Sequence, residues 1–344
     1  MTSRLRSILF RFRKSRNELP DNCYVKSALP YELIEAIVRE AWTATDIQTR
    51  WQLFRAISTL SRLWRAVLID VALRHVFFES TLDLMAYRSL IARHLILNGA
   101  EIGDDFHRSF AKHICVSLSI DSVSKPFEVS QVAELIPNAR FISLSILVDR
   151  RYLFSSIVPH LLTDRPSLTH LRLCWPPLER SYSCSMPSAV VTSVTHLHIP
   201  RHPYASLNAV LALFPFVTHL RLGTPCFLKN LVPYMAAVQV LVLDSPPNYN
   251  THTSNGIAGR AFPSSVPLWN VWDALEYGLL RTQKAIRTRL IINAGVDDSD
   301  EHTVHELAMS CRDRGIQFEC RRVYDAYHLK SVSEVDRWNF GAWL

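Results

Sequence analysis

Three near-copies of one pentapeptide decide the fold: THLRL at residues 169–173, THLHI at 195–199 and THLRL at 218–222. In each copy two apolar residues alternate with polar ones, the period of a strand that buries one face. Widening the pattern to an apolar residue, two positions, an apolar residue, one position and an apolar residue finds six copies. They are Cys115-Leu118-Ile120, Phe141-Leu144-Ile146, Leu168-Leu171-Leu173, Val194-Leu197-Ile199, Val217-Leu220-Leu222 and Val238-Leu241-Leu243. Between their middle members the intervals are 26, 27, 26, 23 and 21 residues. Weaker copies bracket the run, at Leu73-Val76-Phe78 before it and near Leu290-Ile292 and Ile316-Phe318 after it.

A unit of this length is a strand plus a return segment, which cannot bury its apolar face alone; stacked in parallel, such units share one core. The intervals fit the roughly 20–29 residues of a leucine-rich-repeat turn. The asparagine that closes a regular repeat is missing, so the repeats are degenerate and their curvature stays open. Residues between the inward leucines project from the opposite sheet face: Ser143 and Ser145, then His170, Arg172, His196, His198, His219 and Arg221, then Val240 and Val242. The six basic or titratable members of that series are the candidate target-binding strip. Arginine holds a carboxylate or phosphate bidentately, so the expected ligand is an acidic or phosphorylated peptide. Its binding is expected to weaken with salt and to tighten on acidification through about pH 6.5, where imidazoles gain protons. As a solvated strand residue, Arg172 is expected to tolerate alanine.

Outward from the repeats, residues 245–267 carry Pro246, Pro247, Gly256, Gly259, Pro263 and Pro267 and read as a loop insertion. A helix is expected after it, with Trp269, Trp272, Leu275 and Leu279 on one face. Trp338, Phe340 and Trp343 make residues 331–344 an aromatic cap over the last repeat. On the other side, residues 28–72 read as a helical module. Leu33, Ile34, Ile37, Val38 and Ala41 form one stripe, Pro30 suits a first turn, and a polar break is expected around Thr43 to Gln48. Phe54, Ile57, Leu60 or Ser61, and Trp64 then recur at spacings of three and four, through two further turns of helix.

Composition narrows the function classes. Among 344 residues only 9 are Gly, and none precedes a Lys, which disfavours phosphate-cradling loops and glycine-dense dinucleotide sites. Of the formal +7 charge, six units come from Arg4, Arg6, Arg11, Arg13, Lys14 and Arg16, leaving +1 for the other 328 residues. A body that binds nucleic acid would keep clustered cations once this tail (residues 1–20, expected to be disordered) is set aside, so no nucleic-acid partner is expected. Leu5, Ile8, Leu9 and Phe12 make the tail amphipathic if helical, which leaves weak membrane association or a transit role open. No membrane span is expected, because no uncharged apolar run approaches 18 residues. Seven cysteines without a CxxC pair fit buried thiols in a reducing compartment, the cytoplasm or nucleus.

No catalytic constellation survives inspection: there is no GxSxG, and His305-Glu306 is followed by Leu307, Ala308 and Met309 rather than a second histidine at HExxH spacing. His196, His198 and His202 are the best metal-ligand set. His170 and His219 occupy the position of His196 in neighbouring repeats, so repetition accounts for these histidines without a metal, and no neighbouring carboxylate completes a site. The acidic run Asp297, Asp298, Asp300 and Glu301 lacks the glycine of a calcium loop and reads as solvated. No cofactor and no enzymatic activity are expected; a metal-dependent hydrolase using His196 and His198 is the remote alternative.

LPYELIEAIV at 29–38 followed by LFRAISTLSRLWRAV at 53–67 resembles an F-box: Leu29, Pro30, Leu33, Ile37, Leu60, Ser61 and Trp64 fill its pattern. With degenerate leucine-rich repeats behind it, the chain resembles the F-box-like proteins of filamentous and mushroom-forming (basidiomycete-type) fungi. The resemblance implies an α/β fold in which an N-terminal F-box-like helical module (28–72) precedes a degenerate leucine-rich-repeat solenoid (73–330). It implies the substrate-recognition subunit of a Skp–cullin–RING ubiquitin ligase, with Leu29, Pro30, Leu33, Ile34, Ile37, Leu60 and Trp64 binding the Skp-type adaptor, and through it a cullin, while the repeats bind a target protein. The other reading of these residues is a helical cap on a leucine-rich interaction scaffold with no ligase link.

Overall fold

In the computed structural model, which describes residues 29–45, 47–78, 81–98, 115–120, 126–137, 139–146, 158–174, 189–201, 207–223, 228–244, 265–280, 288–294 and 301–322, three helices come first. They are α1 (Tyr31–Ala44), α2 (Ile47–Ser58) and α3 (Arg62–Arg74). The basic tail, His202, Asp297, Asp298 and Asp300, most of the loop at 245–267 and the aromatic segment 331–344 lie outside the described residues.

Pro30 starts α1 because it has no N–H to leave unpaired, while its carbonyl accepts the N–H groups of Leu33 and Ile34, both at 3.1 Å. Ser61 caps α3, its hydroxyl accepting the Trp64 N–H at 3.3 Å. The polar break expected around Thr43 to Gln48 is shorter than that, since α1 continues to Ala44 and α2 begins at Ile47. Polar side chains are spent on the helix end: Thr43 and Thr45 hydroxyls donate to the Arg39 and Ala41 carbonyls, and Arg50 donates to the Trp42 and Thr45 carbonyls at 3.2 and 2.6 Å. A cation there also meets the negative end of the α1 dipole.

Nine strands follow among the described residues, in one sheet whose spatial order is the chain order, every neighbouring pair parallel. They are β1 (His75–Phe78), β2 (Cys115–Ile120), β3 (Phe141–Ile146), β4 (His170–Cys174), β5 (His196–Arg201), β6 (His219–Leu222), β7 (Val240–Asp244), β8 (Arg289–Ala294) and β9 (Gln317–Arg322). Every repeat copy, including the weaker ones, supplies a strand, and the chain is an α/β protein. Helices join strands because parallel neighbours need a crossover: α4 (Thr81–Asn98), α5 (Pro126–Leu135), α6 (Leu207–Ala212), α7 (Leu228–Leu231), α8 (Ser265–Glu276) and α9 (Glu301–Asp313). The connection from β3 to β4 holds a short π-helix, Val158–Leu162.

Leu171, Leu197, Leu220, Leu241 and Leu290 pair in register across five strands and are fully buried, as the period of two requires. Val132, Ile136, Leu211, Leu231, Val271, Leu275 and Leu307 cover them from the connecting segments in one continuous core. That core extends into the first three helices through Ile34, Val38, Trp42, Leu53, Ile57 and Leu68. Trp42 packs edge-on against Trp51, Phe54 and Phe77 at ring distances of 6.0, 6.2 and 6.5 Å, and the Arg50 guanidinium lies 3.7 Å over the Phe77 ring. Trp42 and Trp51 also donate their indole N–H to the His75 carbonyl and Asp83 carboxylate, at 2.8 and 3.0 Å. The helical module is therefore joined to the first strand and to α4.

The copy HIPR breaks the regular register. Pro200 cannot donate to a ladder, and between β4 and β5 the pairing shifts so that Cys174 faces Arg201 where Arg172 faced His198. The next strand accommodates the bulge with Gly223, whose N–H donates to the Ile199 carbonyl at 2.9 Å and whose Cα side is so close to Pro200 that an added Cβ would lie 2.1 Å from its carbonyl oxygen. Gly223→Ala must displace backbone, and the expected loss is roughly 1–3 kcal/mol, read as a lower denaturant midpoint at unchanged slope.

Candidate interaction surfaces

The stripe on α1 is wider than the face it buries. Ile34, Val38, Ala41 and Trp42 point inward, while Leu33 and Ile37 are 51% and 40% exposed. Glu35 pairs with Arg74 at 3.0 Å and Trp42 reaches the carbonyl of His75, so the C-terminal end of α3 lies against α1. Tyr31 at the start of α1, and Leu60 and Leu63 beside the start of α3, are exposed as well. Exposed apolar side chains of this size make the helical module a candidate interaction surface.

Among the residues expected to meet an adaptor, Pro30, Leu33, Ile37 and Leu60 are exposed, whereas Leu29 and Trp64 are partly buried against the core. Ile34 is corrected: at 2% exposure it belongs to the interior, because it shares the α1 face that α3 covers. Tyr31 and Leu63 are further exposed apolar residues that the sequence reading did not single out. For Leu33 and Ile37 the signal was present, since two offset i, i+4 apolar pairs, Leu33-Ile37 and Ile34-Val38, exceed what one buried face needs.

The second surface is the sheet face opposite the leucines. His170, His196 and His219 pair across β4, β5 and β6, and Arg172, His198 and Arg221 form the next row, so all six candidate residues come together as the repeat register predicts. The three imidazoles of the first row are stacked: ring centroids are 4.1 Å apart in both steps, with interplanar angles of 17° and 10°. Each ring is steadied by the preceding threonine, with Oγ1 to Nδ1 distances of 2.8 Å for Thr169–His170, 2.9 Å for Thr195–His196 and 3.0 Å for Thr218–His219.

The strip is less cationic than its composition implies. Arg221 is clamped by Asp244, Nε to Oδ2 at 2.8 Å and Nη2 to Oδ1 at 3.1 Å, and Asn293 donates to the same carboxylate at 2.5 Å. Asp244 also lies 4.0 Å from His198 Nε2, so a carboxylate does stand beside this histidine, contrary to expectation, brought from β7 by the sheet. Arg172 is buried, at 8% exposure, so the expectation that alanine is harmless there is corrected: flanking side chains on adjacent parallel strands enclose it.

Burial holds all four histidines below the ordinary imidazole value. His196 is lowered to about 4, with help from His170 and His219 beside it; His198 is pushed well down by burial and then by Arg221 and Arg172; His170 and His219 are lowered too. The expected tightening of an acidic ligand through pH 6.5 is therefore corrected to a lower range, because the rings stay neutral there.

The sign for stability follows. A histidine depressed in the folded state is protonated first in the unfolded chain, which binds more protons between the two values. Stability is then full above about pH 6.5, the unfolded imidazole value, and declines as pH falls toward about 4, where His196 titrates in the fold. Thermal midpoints measured across that window are expected to fall, and to fall less in a His170→Gln/His196→Gln/His219→Gln variant.

Among the described residues no group of three His, Cys, Asp or Glu is arranged to hold a metal ion, and no helix is long and apolar enough to cross a membrane. Cys311 is buried on α9 and its thiol is pushed up to about 11, so it is protonated at neutral pH. Comparison of the chain with models of protein families, with curated proteins and with solved structures gives no match.

Proposed function

We propose that this protein is a non-enzymatic substrate receptor of a Skp–cullin–RING ubiquitin ligase, acting in the cytoplasm or nucleus. Its first three helices serve as an F-box-like module that binds a Skp-type adaptor, and the sheet is a degenerate leucine-rich-repeat solenoid that receives the target protein. The observation that carries this reading is the exposed apolar set Tyr31, Leu33, Ile37, Leu60 and Leu63, which falls on the segment bearing the Leu-Pro to Trp pattern. A partner surface that buries it gains roughly 25 cal/mol for each Å² of apolar area removed from water. Nine parallel strands in chain order among the described residues, those from β2 to β7 spaced by repeat-length intervals, support the solenoid half. Affinity purification of the full chain from a eukaryotic lysate, followed by mass spectrometry, tests the proposal: a Skp-type adaptor and a cullin are expected among the recovered proteins, and their absence refutes the ligase link.

One observation favours the second reading, a leucine-rich interaction scaffold whose helices only seal the end of the solenoid. Trp42, Trp51, Phe54, Phe77 and Arg50 bind the helices into the same core as the sheet, as an end cap must be bound. A cap needs no exposed apolar set, which is why the adaptor reading is preferred.

A further inference from the structure

The threonine–histidine steps repeat in their hydrogen bonding as well as in their sequence. The Arg140 carbonyl accepts the N–H groups of both Thr169 and His170, the Thr169 carbonyl those of Thr195 and His196, and the Thr195 carbonyl those of Thr218 and His219, all at 2.9–3.0 Å. A carbonyl oxygen has two lone pairs, and here both are occupied. Each threonine hydroxyl lies 3.2–3.4 Å from that saturated carbonyl but only 2.8–3.0 Å from its histidine Nδ1. The shorter contact favours Nδ1 over the saturated carbonyl as acceptor of the hydroxyl proton, and with the proton delivered there the ring proton sits on Nε2.

We propose that Thr169, Thr195 and Thr218 fix His170, His196 and His219 as Nε2–H tautomers, and that this row of neutral donors binds an unphosphorylated, carboxylate-rich polypeptide segment. The proposal deepens the target-binding half of the reading above and rests on it. The rings are half-buried and stacked nearly parallel, so their N–H edges are presented side by side, about one strand spacing apart. Two adjacent donors at the 4.1 Å ring separation suit the two oxygens of one carboxylate. A phosphate dianion concentrates two charges on one group and requires compensating cations, but Arg172 in the adjoining row is buried, Arg221 is committed to Asp244, and Arg289, two strands along the same row from His219, is committed to Glu319 at 3.1 Å. Burial keeps the imidazoles uncharged at neutral pH, which agrees with recognition by hydrogen bonding rather than by net charge.

Nitrogen NMR on the full chain with labelled histidine, in the absence of any adaptor, tests both halves. Nδ1 of all three residues is expected to resonate as an unprotonated nitrogen and Nε2 as a protonated one. Oligoglutamate is expected to move the Nε2–H signals of His170, His196 and His219, while inorganic phosphate at equal concentration leaves them in place. Protonated Nδ1 or averaged tautomers would overturn the tautomer assignment; phosphate acting as strongly as oligoglutamate, or oligoglutamate moving only other histidines, would overturn the ligand. The variant Thr169→Val/Thr195→Val/Thr218→Val keeps the β-branched shape and is expected to lower oligoglutamate affinity about tenfold, the equivalent of one to two net hydrogen bonds. Unchanged affinity counts against the proposal, and Thr195→Val alone serves, with the same sign, if the triple variant does not fold. Adaptor recovery is read in a separate pull-down, so failure here is distinguishable from failure of the ligase reading.

Discussion

Leu197→Ala is expected to destabilise the fold by about 2–5 kcal/mol, a large share of the 5–15 kcal/mol that holds a typical domain. Leu197 is fully buried at the centre of the sheet, in register with Leu171 on β4 and Leu220 on β6. Truncation removes apolar contact and leaves a cavity that cannot collapse, because parallel strands on both sides fix the backbone through their ladders. One residue earlier, His196→Ala removes a half-buried ring from the stack and is expected to cost only about 1 kcal/mol. Urea titration of the two variants checks the contrast. Equal losses would mean that the face assignment of the strands is wrong, since a shift of one residue exchanges the two sets of side chains.

Leu33→Asp combined with Ile37→Asp is expected to abolish adaptor recovery while leaving the thermal midpoint within a few degrees of the parent. Both side chains are already exposed, so a carboxylate there is solvated in the isolated protein and the core is untouched. In a complex the same carboxylates would be buried without partners against an apolar surface, a penalty of several kcal/mol each and enough to erase an ordinary affinity. Ile34→Asp is the control: from 2% exposure it forces a charge into the interior and is expected to unfold the module. Retained adaptor binding by the double variant would refute the docking surface. Unfolding of that variant would instead identify the helices as a cap.

How much of this was legible beforehand differs between the two surfaces. Strand positions, their order and the shared rows of His170, His196 and His219 and of Arg172, His198 and Arg221 follow from the sequence, because side-chain direction in a strand has a period of two and the THL copies set equivalent positions in successive turns. Pro30 ahead of α1 was equally readable, being local chemistry within a few residues, whereas the stripe from Phe54 to Trp64 reads as one helix and is broken between Ser58 and Arg62, where Ser61 caps α3. The bulge at Pro200 and the glycine that receives it were written in the chain as HIPR and LGT, but their meeting depends on neighbouring strands.

Tertiary structure alone decided the charge of the strip and the face of α1. Asp244 lies 23 residues beyond Arg221, yet the sheet sets it against that guanidinium and beside His198, turning an apparently basic ladder into a largely neutral one. Burial then suppresses protonation of the histidines, an effect of surrounding dielectric that composition does not carry. On α1 the sequence determined that two adjacent faces are apolar; the placement of α3 selected Ile34 and Val38 for the core and left Leu33 and Ile37 outside. Local periodicity specifies what each segment is, whereas the sign of a surface and the side of a helix left in water are set by contacts between residues far apart in the chain.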